Sequence, residues 1–125
     1  MEQKSLETLE IYQLAVQIGE EVWKATEPWS FFAKDTIGKQ LVRSADSMAA
    51  NISEGYGRFF YKDRRLFCLY SRGSAFETET WIAKAKSRNL LSQEKYDELH
   101  TQVKAFQRRL NKFIEHLDRQ IAKGK

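Results

Sequence analysis

One cysteine, one proline and two histidines occur in the 125 residues of this chain, and each shortage closes a class of answers. The lone Cys68 excludes a disulfide framework and any zinc site built on cysteines. With only Pro28 and six glycines, the chain is poor in turn material, which favours long uninterrupted helices. The two histidines, His100 and His116, fall on one predicted helix more than about four turns apart, so they share no site within a chain and a Ser-His-Asp or Cys-His system is not available. A di-metal bundle needs Glu-x-x-His on two helices, and Asp97-x-x-His100 is the nearest approach. Gly55-Tyr56-Gly57 follows no strand and lacks dinucleotide-loop spacing, and no Gly-Lys-Ser/Thr phosphate loop exists. The expectation is a protein that is not an enzyme, with no metal and no cofactor. No apolar run approaches the roughly 20 residues that span a bilayer. The opening Met1-Glu2-Gln3-Lys4-Ser5 has no signal-peptide core behind it. A cytoplasmic protein without membrane contact is expected.

What is present suits one helical domain over residues 1–125. The composition is 42% hydrophobic, 13% aromatic and 30% charged, enough apolar material for one core. Periodicity predicts four helices, at about 5–26, 35–55, 62–89 and 92–122. The first carries Ile11, Ala15, Ile18 and Val22 on one face and stops at the turn Glu27-Pro28-Trp29-Ser30. The second is expected to open with Asp35 as N-cap, to bury Ile37, Leu41, Ala45, Met48 and Ile52, and to end at Gly55 and Gly57. The third has the face Leu66, Leu69, Gly73, Phe76, Thr80 and Ala83. The fourth, after Ser92 as N-cap, has the cleanest seam: Tyr96, Leu99, Val103, Phe106, Leu110, Phe113 and Leu117. Short connections imply an all-α, antiparallel up-down-up-down four-helix bundle. Cys68, between Phe67 and Leu69, is expected to be buried and inert.

Charge is unevenly spread. Residues 1–35 hold three lysines against seven acids, whereas residues 58–72 hold Arg58, Lys62, Arg64, Arg65 and Arg72 against Asp63 alone. Residues 103–125 hold seven basic groups, among them Arg108, Arg109 and Lys112, against Glu115 and Asp118. Cations in the first turns of a helix oppose its dipole, so Lys62, Arg64 and Arg65 stand where stability alone favours acids. Helix N-terminus and cations together suit a phosphate, and the interleaved Tyr56, Phe59, Phe60 and Tyr61 suit stacking on bases where exposed. The basic residues Arg58, Lys62, Arg64, Arg65 and Arg72 are therefore the first expected nucleic-acid contacts, for RNA or DNA. Arg108, Arg109 and Lys112 are the second set, with a solvated helix face as their plainer explanation. A different class of answer is a protein assembly module, for which Trp23, Trp29, Phe31, Phe32 and Trp81 would be exposed anchors.

A polar stripe, Gln40, Ser44, Ser47, Asn51, Glu54 and Arg58, runs beside the apolar face of the second helix. Folding back at residues 55–61 sets Ser44 and Ala45 opposite Gly73 and Ser74, which implies close helix approach and a packing role for Gly73. The same register sets Glu77 near Gln40 and Arg43 as a paired buried charge.

This stripe also carries a resemblance. Residues Gln40 to Gly55 fit the pattern Q-L-x-R-[AS]-A-x-S-[IM]-x-x-N-I-[AS]-E-G. The segment Tyr70-Ser71-Arg72-Gly73-Ser74-Ala75-Phe76-Glu77-Thr78-Glu79-Thr80 fits a second motif. Together they resemble a bacterial four-helix-bundle family encoded within intervening sequences of large-subunit ribosomal RNA genes. That family is similar also to the accessory variability determinant of diversity-generating retroelements. The resemblance implies a homopentameric ring that binds nucleic acid with little sequence preference. In retroelements it further implies a reverse transcriptase and its template RNA as partners. Its motif positions, Gln40, Arg43, Ser47, Asn51, Glu54, Gly55, Gly73, Ser74 and Glu77, are expected to be scaffold rather than ligand site.

Overall fold

A computed structural model describes residues 5–124. After one tight turn, Leu6–Thr8, four long helices follow among the described residues. They are α1, Glu10–Thr26; α2, residues 31–56; α3, Tyr61–Ser87; and α4, Gln93–Ala122. There is no strand among these residues. Helix α1 packs on α2 and α4, and α3 packs on the same two, so the helices enclose one core as a bundle. The expected faces of α1 and α2 are buried throughout. On α4, Leu99, Val103, Phe106, Leu110 and Leu117 are buried, while Tyr96 and Phe113 pack at the core's edge. Ser92 caps α4 as expected, its hydroxyl accepting from the Lys95 N–H at 3.0 Å.

The start of α2 corrects the sequence reading. Ser30, not Asp35, is the N-cap: its backbone is extended and its hydroxyl accepts from the Ala33 N–H at 3.2 Å. Asp35 lies four residues inside, in a wide π-type turn, Lys34–Gly38, paired with Lys39 at 3.5 Å. The wide turn has a geometric reason. Ala33, Ile37, Leu41 and Ala45 are all buried, yet successive four-residue steps drift by about 40° each on a regular helix. One turn holding an extra residue offsets that drift and keeps the row facing the core.

The buried face of α3 is also not the expected one. Leu66, Gly73, Phe76, Thr80 and Ala83 are exposed and Leu69 is half-buried. The core face is instead Cys68, Ser71, Ala75, Thr78, Ile82 and Ala85. Small side chains and hydroxyls win because α2 and α3 approach closely and each hydroxyl is satisfied there. Ser71 donates to the Met48 carbonyl at 2.8 Å, Thr78 meets the Ser44 hydroxyl at 2.9 Å, and Ser47 hydrogen-bonds Ser74.

The polar motif is thus a scaffold seam in part. Asn51 donates to the Ser47 carbonyl at 2.9 Å and Glu54 pairs with Arg58 at 2.9 Å. Gly55 permits close approach of α3, since a Cβ there would stand 3.0 Å from the Phe67 Cβ and 3.2 Å from the Arg64 carbonyl oxygen. Gly73 does not have the expected packing role, because a Cβ added to it meets nothing within 4 Å. Gln40 is half-buried and Arg43 exposed. The expected buried pairing of Glu77 with these two is likewise absent: Glu77 is exposed and accepts from the Trp81 Nε1–H at 3.1 Å.

Candidate functional site

At one end of the bundle the helices part around an open cleft of about 970 Å³. Its walls come from the start of α1, the end of α2, the α2–α3 connection, the start of α3 and the C-terminal half of α4. Helix α2 stops at Tyr56 with Gly57 beyond it, and α3 restarts at Tyr61. The connection is pinned at both sides. The Phe60 carbonyl accepts from the Asp63 and Arg64 N–H groups at 3.1 Å each, and Arg64 Nε donates to the Arg58 carbonyl at 2.8 Å. That fold-back sets the Arg64 guanidinium 5.7 Å from the Tyr61 ring and 5.9 Å from the Tyr56 ring. Phe59 and Phe60 point outward, 85% and 62% exposed, with their rings edge to face at 5.0 Å.

The opposite wall is α4. Arg109, Lys112, Phe113 and His116 follow in steps that bring them to one helix face, and all four line the cleft. Glu10 of α1 pairs with Arg109. Cys68 lies in the wall but is buried, and that burial pushes its thiol up to about 12, so it stays protonated and unreactive at neutral pH.

The two basic stretches therefore meet, though not through every expected residue. Arg64, Arg109 and Lys112 share the cleft. Arg58 pairs with Glu54 and lies 4.8 Å over the Phe67 ring, and Arg65 pairs with Asp118 across α3 and α4. Lys62, Arg72 and Arg108 are exposed but do not line the cleft. Phe113 and His116 belong to the site without having been singled out for it. Their signal is the spacing itself, since residues 109, 112, 113 and 116 fall three and four apart.

The aromatic anchors of the alternative reading divide. Trp29 is core and Trp81 is half-buried, while Trp23, Phe31 and Phe32 are 55%, 82% and 77% exposed. Trp23 borders a smaller hollow of about 380 Å³ with Lys34, Val42 and Arg43. Among the described residues no cluster of His, Cys, Asp and Glu could hold a metal, and no helix is long and apolar enough to cross a membrane.

No curated protein matches the chain. One solved structure that it resembles is a protein of unknown function from the S23 ribosomal protein family of Bacteroides thetaiotaomicron. The likeness has a TM-score of 0.74 at 20% identity and covers 83% of this chain and 97% of that one, which establishes a shared fold. The model of the 23S rRNA-intervening sequence proteins matches residues 7–112. The sequence motifs, the helical bundle and this match agree, and the chain belongs to the 23S rRNA-intervening sequence protein family.

Proposed function

We propose that this chain is a non-catalytic, oligomeric nucleic-acid-binding accessory protein with low sequence specificity, binding RNA or DNA through the end cleft. The observation that carries the proposal is the convergence of Arg64, Arg109 and Lys112 with Tyr56, Phe59, Phe60 and Tyr61 around one opening. Cations neutralise phosphates and release counterions, and aromatic rings stack on bases of any identity, so the combination binds tightly without reading sequence. Lys62, Arg72 and Arg108 add to the surrounding field.

The finer features are part of the same reading. Antiparallel helices are supported by the descending pairings of α2 with α3: Ser44 with Thr78, Ser47 with Ser74, Met48 with Ser71. A homopentameric ring is what the family resemblance implies, and the exposed Leu66, Tyr70 and Phe76 of α3 support association. Light scattering then gives five times the 14.7 kDa chain mass. A cytoplasmic setting and a reverse transcriptase with its template RNA as partners complete the reading.

Fluorescence anisotropy with labelled RNA at low and moderate salt tests it. Binding should weaken steeply as salt rises. Arg64→Glu combined with Lys112→Glu should weaken it about a hundredfold, each reversed charge acting at close range. Absence of binding at low salt, or binding indifferent to the double substitution, removes the assignment. A second reading, an assembly module with no nucleic-acid role, is favoured by the exposed Trp23, Phe31 and Phe32. It gains if the protein purifies with a protein-like 260/280 nm absorbance ratio and retains a partner after nuclease treatment.

A further inference from the structure

The exposed phenylalanines of the α2–α3 connection are not explained by phosphate binding. Neither ring carries a polar atom, so water offers it nothing, and large apolar groups exposed side by side on a fixed turn mark a contact surface. Their mounting is rigid. Arg64 holds the Arg58 carbonyl, and Arg58 is itself fixed by Glu54 and by the Phe67 ring. Little ordering is therefore required when something lands on them. The charge beside them is cationic in balance: Arg64, Arg109 and Lys112 against Glu10.

The ring geometry narrows the occupant. The planes of Phe59 and Phe60 meet at 89°, so two bases stacked in parallel cannot lie flat on both. Two neighbouring bases that are splayed apart can. A duplex hides its base faces inside the stack and presents only edges and phosphates. We propose that Phe59 and Phe60 make the cleft selective for single-stranded nucleic acid, each ring stacking on one unpaired base while Arg64, Arg109 and Lys112 receive the phosphates. This inference rests on the nucleic-acid reading above and specifies the strand state it accepts.

Three probes of equal length separate the possibilities by anisotropy: a 12-nucleotide single strand, its duplex, and an abasic strand of the same sugar–phosphate length. The full chain should bind the single strand about tenfold or more tightly than the other two, which is the size expected for one to two stacked bases. Phe59→Ala combined with Phe60→Ala should bring the single strand down to the abasic level and leave the salt slope of the remaining binding unchanged. Because both rings are exposed, the variant's melting curve and scattering mass should match those of the parent. Failure of all three probes to bind at low salt overturns the nucleic-acid reading as a whole. Equal binding of the three, or a single-strand preference that survives the double substitution, overturns this inference alone. A changed scattering mass in the variant also overturns it, since the rings then seat a second copy of this chain.

Discussion

The two faces of α3 invert the usual expectation of what a helix buries. Its inner face, with Ser71, Ala75 and Thr78 fully buried, is small and partly hydroxylated, whereas Leu66, Tyr70 and Phe76 on its outer face are 43–50% exposed. The difference shows that proximity to α2, not side-chain hydrophobicity, selects the inner face. Small residues let the backbones approach, and a hydroxyl bonded across the gap or to its own preceding turn carries no desolvation penalty left unmet. Substituting one neighbour from each face sharpens the contrast most. Ala75→Leu forces extra methylenes into the closed seam and should cost about 1–3 kcal/mol in urea unfolding. Phe76→Ala, the next residue, should change stability by no more than about 0.5 kcal/mol at protein concentrations too low for association to contribute. Equal losses from the two would erase the distinction between the faces.

Two glycines extend the comparison with a smaller effect of opposite signs. Gly55→Ala sets a Cβ 3.0 Å from the Phe67 Cβ and 3.2 Å from a backbone oxygen. The backbone oxygen cannot step aside, so a loss of about 1 kcal/mol is expected, helix propensity having offset part of the crowding. Gly73→Ala meets open space inside a helix and should stabilise by roughly 0.5–1 kcal/mol through restricted unfolded-state freedom and better propensity. Thermal melts of the two variants should move in opposite directions. A gain at Gly55 or a loss at Gly73 would reverse the assignment of which glycine sits at the helix contact.

These cases mark what a reader of the sequence could recover. The faces of α1, α2 and most of α4 are legible because aliphatic residues there repeat at helical spacing and tertiary packing agrees with them. On α3 the hydrophobic row and the buried row differ, so periodicity picks the wrong face, although the serines and threonines of the right one were present. The π-type turn at Lys34–Gly38 was illegible because it corrects a phase drift that appears only when the core is assembled. Within the candidate site, the charge census found Arg64, Arg109 and Lys112. It could not tell them from Arg58 and Arg65, because which cations line the cleft is decided only where the helices part in the folded chain. His116 and Phe113 were weighed for catalysis and for core, and only the parting of the helices makes them neighbours of the basic groups.

The seam between α2 and α3 contains no titrating group in its hydroxyl bonds, whereas α1 and α4 are joined at their rim by an ion pair, Glu21 to Lys95 at 2.6 Å. The pair predicts the smallest effect and a pH signature the seam lacks. The Lys95 ammonium, by hydrogen bond and charge, holds the Glu21 carboxyl below its ordinary 4.5. The hydrogen bond that Lys95 donates to Glu21 likewise holds Lys95 above its ordinary 10.5. A depressed acid stabilises fully above its unfolded value and loses that contribution as pH falls through the folded one. A raised base stabilises fully below its unfolded value and loses it as pH rises through the folded one. The pair's contribution is therefore flat from about pH 4.5 to 10.5 and fades progressively outside that window. Both side chains are more than a quarter exposed, so solvent screening limits it to about 0.2–1 kcal/mol. Glu21→Gln should lower stability by that amount in urea melts at pH 7 and by progressively less as the pH is taken below 4.5, with the pH 7 loss shrinking as salt is added. A loss that does not shrink with acid or with salt would assign the contact to packing, and the rim would then be held as the seam is.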